Sequence, residues 1–444
     1  MAQRRAQTLL VLLVMAVLLA VVVIITHNFF TKPYPGLNDF MSRWEGARAY
    51  WVDGLNPYGD EASLQIQARI YGRRAAPDED PGYFAYPMYT VFLVWPLVYL
   101  PYSWASAVWM ALLEVCLVAS LFLLLDLFRW KPKPWLLGLL LLWSLAFYFS
   151  ARGLILGQPG VLVAFLEILT IWALTKTRTS PPLALRGRSS PFGSPLSIAM
   201  ERGQTPHKKD LNQSLRILDT LAGVALALST IKPQMGFLIV PLLLLWGLRT
   251  RRWRFVITFA AVFGGLMLVS FLMQPSWLGD WLGQLALYPQ YTALGSPVWI
   301  IVQYYLGLRN AAEYIVMAVL VGLMLWNWYG VLIAQHPERF LWAAALTLTI
   351  THLIAPRTAT PHYVIFFLPL VFWFSRLSRV RYGNWWNLLL ILALLVLPWI
   401  HFVQTVTGEF EHPTLYLPLP FGVLALLWLT RRAWWQFALG GVKT

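Results

Sequence analysis

The chemistry in this chain starts from one carboxylate. Asp39 follows closely on the first long apolar run, within Asn38-Asp39-Phe40. Arg43, Trp44, Glu45, Arg48, Tyr50, Trp51, Asp53-Gly54 and Asn56-Pro57-Tyr58 come next, and Phe84-Ala85-Tyr86-Pro87 opens a further apolar run. A carboxylate in a polar, aromatic-rich loop beside a bilayer is suited to take a proton from an attacking hydroxyl. An acidic phosphate leaving group needs no second carboxylate; it needs cations or N–H donors for the charge it develops. Asp39 is therefore the candidate general base. The same residue type at that place also serves as a helix N-cap.

Candidate phosphate partners lie further along. Lys232 sits in Ser229-Thr230-Ile231-Lys232-Pro233-Gln234, between two apolar segments. A lysine at a bilayer centre costs on the order of 2.5–3.5 kcal/mol and is functional by default, although one near a span end also snorkels to the interface. Arg357 and His362 lie in the polar break Pro356-Arg357-Thr358-Ala359-Thr360-Pro361-His362. Arg152 and Gln158 flank Gly153 and Gly157, which also shape a tight turn. Trp44, Tyr86, Trp299 and Tyr304 are candidates to line a sugar or lipid groove, or to pack at the interface. Glu114 and Glu167 lie within apolar runs and are expected to face the protein interior.

The elements that must carry these residues are membrane helices. Of 444 residues, 59% are hydrophobic and 12% charged, about half the charged fraction of a soluble protein. Apolar runs fall at 8–27, 103–128, 135–151, 157–176, 216–231, 233–248, 253–273, 311–334, 339–356, 360–375, 385–403 and 415–430, an all-α polytopic membrane protein of about twelve spans. The first run is long for a signal peptide and lacks a small-residue cleavage site, so it reads as a retained anchor. Residues 38–53 form an expected amphipathic helix on the outer interface, with Phe40, Trp44, Ala47 and Trp51 on one face. Met88 to Leu100 is expected to be a short interfacial or re-entrant helix, because a crossing there would put Arg129, Lys131 and Lys133 outside.

The formal net charge of +15 collects at span ends: Arg4-Arg5, Arg129 to Lys133, Arg249 to Arg254, Arg376 to Arg381 and Arg431-Arg432. That is a positive-inside distribution and not a nucleic-acid face. It places both termini in the cytoplasm and the loops 28–102 and 274–310 outside, in a multi-pass plasma-membrane protein. The domain reading is an N-terminal half, 1–175, a disordered basic linker, 176–215, and a C-terminal half, 216–444. Cys116, the single cysteine, excludes an intrachain disulfide and a cysteine metal site. No dinucleotide fingerprint, Walker loop or zinc spacing occurs, so a site must be built from outward loops and helix ends.

The order of motifs resembles glycosyltransferase family 87. The residues that carry the resemblance are Asp39-Phe40 with Trp44 and Ala47-Arg48, then Gly54 with Asn56-Pro57-Tyr58, then Tyr86-Pro87, Gly157-Gln158, Lys232-Pro233-Gln234 and His362. The resemblance implies a GT-C membrane fold and a hexosyltransferase that moves mannose from a polyprenyl-phosphate donor to a lipid or glycan acceptor. It implies inversion without metal or other cofactor, with Asp39 as base and with Lys232, His362 and Arg357 on the phosphate. Two departures leave sugar and acceptor open. Tyr86-Pro87-Met88 lacks a second proline, and the C-terminal break carries Arg357-Thr358-Ala359-Thr360-Pro361-His362 where Ser-Pro-x-Ser-Trp is commoner. The competing readings are a transporter or flippase of lipid-linked sugars, against which no internal repeat is visible, and an assembly subunit without chemistry.

Overall fold

The computed structural model describes residues 2–34, 39–76, 79, 81–176, 208–291, 295–408 and 411–438. Asn38, Asp78, Asp80 and residues 177–207 of the expected linker lie outside the described residues. Among the described residues the secondary-structure elements are all helical, with no strand. Five helices are long and apolar enough to cross a membrane: Gln7–Thr31, Tyr102–Leu127, Trp253–Met273, Asn310–Leu332 and Gly383–Thr405. Two bent pairs, Pro134–Ala146 with Tyr148–Ile155 and Pro413–Leu429 with Arg431–Ala438, raise the number to seven. The expected run 216–231 lies in the 22-residue helix Lys208–Ser229, which begins within the expected linker; the remaining expected spans appear as shorter elements. Gly160–Lys176 has 17 residues and Phe340–Ile354 has 15, about 25 and 22 Å at 1.5 Å per residue.

Contacts divide the chain into two units. The first comprises Met1–Cys116, Gly153–Pro159 and Val269–Tyr291; the second comprises Leu117–Arg152, Gly160–Leu268 and Thr292–Thr444.

In the first unit the expected loop helix runs Phe40–Trp51. It is covered on more sides than an interfacial amphipathic helix would be: Phe40, Met41, Trp44, Glu45, Gly46, Ala47 and Ala49 are all buried. The covering elements are the helix Asp60–Tyr71 and the short helix Thr90–Val94. Thr90–Val94 has five residues and continues into a 3₁₀ turn, Trp95–Leu97, so this segment is far too short to span a bilayer of about 30 Å. It is pinned by two indoles: Trp44 Nε1 donates to the Leu97 carbonyl at 2.9 Å and Trp51 Nε1 to the Val91 carbonyl at 3.0 Å.

Asn56 makes the turn that the Asn-Pro pair calls for. Its Oδ1 accepts from the Tyr58 amide at 3.0 Å, and its Nδ2 donates to Asp280 Oδ2 at 3.0 Å. Gln284 fastens the same region. Its Oε1 accepts from the Ala85 amide at 3.0 Å, and its Nε2 donates to the Tyr58 carbonyl at 3.1 Å. Ala85 has φ +41, an unfavourable backbone for a residue with a Cβ, and the Gln284 bond holds it there.

In the second unit the core is aromatic. Trp143 stacks on Phe367 at 4.4 Å, Phe372 on Trp434 at 3.8 Å and Trp246 on Phe340 at 4.4 Å. The helix Phe340–Ile354 is buried along its whole length.

Candidate functional site

Asp39 occupies the N-cap position of Phe40–Trp51, yet its side chain makes no capping bond. Instead Oδ2 accepts a hydrogen bond from Gln158 Nε2, 119 residues away. Oδ1 accepts no hydrogen bond among the described residues, and Asp39 is exposed. The helix start is held from below. Phe40 is fully buried and stacks on Trp109 with ring centroids 4.9 Å apart. Trp109 Nε1 in turn donates to the Gly157 carbonyl at 2.8 Å. Gly157 has φ +59, a left-handed conformation that glycine adopts without penalty, and this turns the chain so that Gln158 meets the carboxylate. One run of contacts thus joins the acid, its helix and its amide donor.

Arg43 closes the other side. Its Nη1 donates to the Asp39 carbonyl and its Nη2 to the Tyr86 hydroxyl at 2.8 Å. The guanidinium also lies over the Tyr86 ring, 4.6 Å from its centroid. Tyr86 is buried, and its own carbonyl accepts from Tyr58 OH at 2.6 Å. Trp44 is buried against Tyr102, ring centroids 5.2 Å apart. On the same helix Glu45 is 2% exposed, between Arg69 at 3.3 Å and Arg48 at 3.7 Å. Burial raises its carboxyl above the usual range, and the two arginines pull against that shift.

A basic cluster is built in the second unit. Lys232 is 4% exposed at the N-cap of the turn Pro233–Gly236, and it acts electrostatically on the buried rings of both His352 and His362. The two imidazoles meet edge to face with centroids 6.3 Å apart. Backbone groups fix their tautomers. His362 Nδ1 accepts from the Ala359 amide at 3.3 Å, so the neutral ring carries its proton on Nε2. His352 Nδ1 faces the Leu348 carbonyl at 2.8 Å, so there the proton is on Nδ1. The Nε2 of each ring is buried without a hydrogen-bond partner among the described residues. An orphaned buried donor costs about 1–3 kcal/mol, so the His362 Nε2–H is suited to an acceptor brought by a ligand. Gly160 lets the ring in: a Cβ there would sit 3.0 Å from His362 Cδ2 and 3.3 Å from Met235 Sδ. Glu167 is buried near the same turn, since a Cβ at Gly236 would lie 3.5 Å from its Oε1.

Arg152 has a carboxylate partner of its own. Its Nε donates to Glu411 at 2.9 Å. Glu411 also accepts from Tyr148 OH at 2.6 Å and from Thr360 Oγ1 at 2.7 and 2.9 Å. Through Thr360 this knot fastens the 3₁₀ turn Thr360–Phe366, which carries His362. Arg357 is half-buried at φ +56. Trp299 is half-buried over Gly295, and Tyr304 is 54% exposed against Tyr305.

The structure therefore brings together Asp39, Gln158 and Tyr86 in the first unit, and Lys232 and His362 in the second. Arg43, His352 and Glu411 are additions. His352 lies within the expected span 339–356 and Glu411 in a short loop, so neither carries a local sequence signal. Among the described residues no group of histidine, cysteine and carboxylate side chains is arranged to hold a metal ion.

The profile described as Glycosyltransferase family 87 matches residues 84–356, more than half of the chain. The chain belongs to glycosyltransferase family 87. It is accordingly a glycosyltransferase with several membrane-competent helices. The family 87 match includes Tyr86, Arg152, Gln158, Lys232, Trp299, Tyr304 and His352. Asp39, Arg357, His362 and Glu411 fall outside the matched residues, so the family assignment does not depend on them. No curated protein and no solved structure matches the chain.

Proposed function

We propose that this family 87 glycosyltransferase moves a hexose, mannose by the resemblance, from a polyprenyl phosphate to a lipid or glycan acceptor. The reaction takes place on the extracytoplasmic side of the plasma membrane. In this reading the chain has the GT-C fold with about twelve crossings and both termini in the cytoplasm, the shorter helices also crossing.

The acceptor hydroxyl gives its proton to Asp39 Oδ1 as its oxygen attacks the anomeric carbon. The bond from that carbon to the phosphate oxygen breaks with its electron pair, and polyprenyl phosphate leaves. Attack on the face opposite the phosphate inverts the anomeric centre. Gln158 restrains Oδ2 and so presents the other oxygen. Lys232 and the neutral His362 Nε2–H meet the charge that develops on the phosphate. Arg357 is a further candidate for that phosphate. Glu411 holds the His362 turn and occupies Arg152, which makes Arg152 a positioning residue in this account. Exposed Tyr304 and half-buried Trp299 are the aromatics best placed to touch sugar or lipid.

The observation that carries this reading is the state of Asp39: exposed, fixed by a distant amide, and not used as a cap. The test is transfer by the purified chain from radiolabelled polyprenyl-phosphate mannose to a membrane lipid extract, with chelator present and with other polyprenyl-phosphate hexoses in parallel. Labelled lipid or glycan in the presence of chelator supports the reading. No product from any donor of the panel contradicts it.

A further inference from the structure

A cavity of about 520 Å³ lies in the second unit, lined by Lys133, Trp135, Ser378, Tyr382, Asn384 and Trp385, among others. None of the residues assigned above lines it. The helices Pro134–Ala146 and Gly383–Thr405 both begin at its rim. They run in parallel, because Trp399 Nε1 donates to the Ala146 carbonyl at 3.0 Å while Trp135 and Trp385 meet at their starts, ring centroids 6.2 Å apart. The cavity therefore sits where two membrane segments begin, the level at which tryptophan anchors gather. Trp135 and Trp385 are 44% and 62% exposed.

Its charge is of one sign. No acidic residue occurs between Asp126 and Glu167, or between Glu338 and Glu409. Lys133 is exposed and donates no hydrogen bond to a described residue. Arg376, Arg379 and Arg381 follow on the segment that closes the cavity, and none has a carboxylate partner among the described residues. Burial first, and then the like charge of neighbouring Arg376, lower the proton affinity of Arg379.

We propose that this cavity binds the headgroup of an anionic phospholipid. Lys133 meets the phosphodiester, Ser378, Tyr382 and Asn384 offer hydrogen bonds to the headgroup, and the two indoles flank the glycerol and upper acyl chains. Basic pockets between membrane helices at a cytoplasmic face bind such lipids. The leaflet rests on the orientation proposed above. The binding does not require glycosyl transfer, so failure of the transferase reading and failure of this one are separately visible.

The test uses the delipidated full chain in detergent, with phosphatidylglycerol, phosphatidylcholine and inorganic phosphate titrated separately and retained lipid counted by native mass spectrometry. Phosphatidylglycerol is expected to bind at least about fivefold more tightly than phosphatidylcholine. Lys133→Ala is expected to lose about fivefold, and Lys133→Arg to keep the wild-type affinity. A photoactivatable phosphatidylglycerol on the wild-type chain should label the peptides around Trp135 and Trp385, which tests the site even if a variant fails to fold. Equal affinity for the two lipids, labelling elsewhere, or competition by inorganic phosphate at the lipid's own affinity would each overturn the proposal.

Discussion

Asp39 and the Lys232–His362 cluster present opposite physical situations. The carboxylate is exposed, with one oxygen held by an amide and the other accepting no hydrogen bond from a described residue. The basic groups are buried, and two imidazole nitrogens have no hydrogen-bond partner among the described residues. The contrast fits a division of labour. A base that meets a series of incoming hydroxyls gains from access and from a fixed lone pair. Donors that stabilise a phosphate are worth most where water is excluded and the dipoles are already oriented. A desolvated, unsatisfied donor is costly in the empty protein, and binding of an anion recovers that cost.

The largest effect that sharpens this contrast is at the exposed end. Asp39→Asn removes the proton acceptor and leaves the shape, so kcat should fall by about 10²–10⁴ with thermal stability unchanged. Comparable turnover by the variant would move the base elsewhere.

Next comes the buried end, where Lys232→Ala should cost about 10²–10³ in kcat. His362→Gln places an amide nitrogen near the imidazole Nε2 and should retain more activity than His362→Leu. Because the His362 donor is neutral, the rate should show no loss as pH rises through ~6.5. A steep loss there would mean that a protonated ring is required.

Gln158→Ala tests the tie between the acid and its turn. It should lower kcat roughly 10–100-fold by misplacing the base, with little change in donor affinity. A KM effect alone would assign Gln158 to substrate binding.

The smallest effect is a pH drift in the loop helix. The raised carboxyl of Glu45 means that the folded state binds its proton more readily than the unfolded chain does. Its contribution to stability is therefore present at low pH and is lost as pH rises through the raised value. Amide exchange across residues 40–51 should speed up over that interval, and Glu45→Gln should flatten the dependence. The exposed pair Arg73–Glu79 runs the other way. Hydrogen bonds from Arg73 and the Ala76 amide hold Glu79 down at about 2, so what that pair contributes is present above the ordinary carboxylate range and lost as pH falls toward 2.

The long apolar helices were readable from composition. The expected run 253–273 is the helix Trp253–Met273, and 103–128 is Tyr102–Leu127. The loop helix was readable from Phe40, Trp44, Ala47 and Trp51, but the burial of Glu45 was not. Its partner Arg69 comes from a different helix, and local periodicity carries no record of that packing. The bend at Phe147 was hidden inside one hydrophobic run, because its neighbours are apolar on both sides.

At the site, the types and order of Asp39, Gln158, Lys232 and His362 were visible. Their contacts were not. The Asp39–Gln158 bond spans 119 residues, and the tie between Arg152 and Glu411 spans 259. His352 shows the same limit: the one ionisable residue in an otherwise uncharged helix gains meaning only when another ring is found beside it.

The most direct test of the central claim is to measure donor binding and single-turnover transfer together, for wild type and Asp39→Asn, with a radiolabelled polyprenyl-phosphate sugar. The variant is expected to bind donor as the wild type does and to transfer at least about 100-fold more slowly. Transfer at the wild-type rate with donor bound would contradict it.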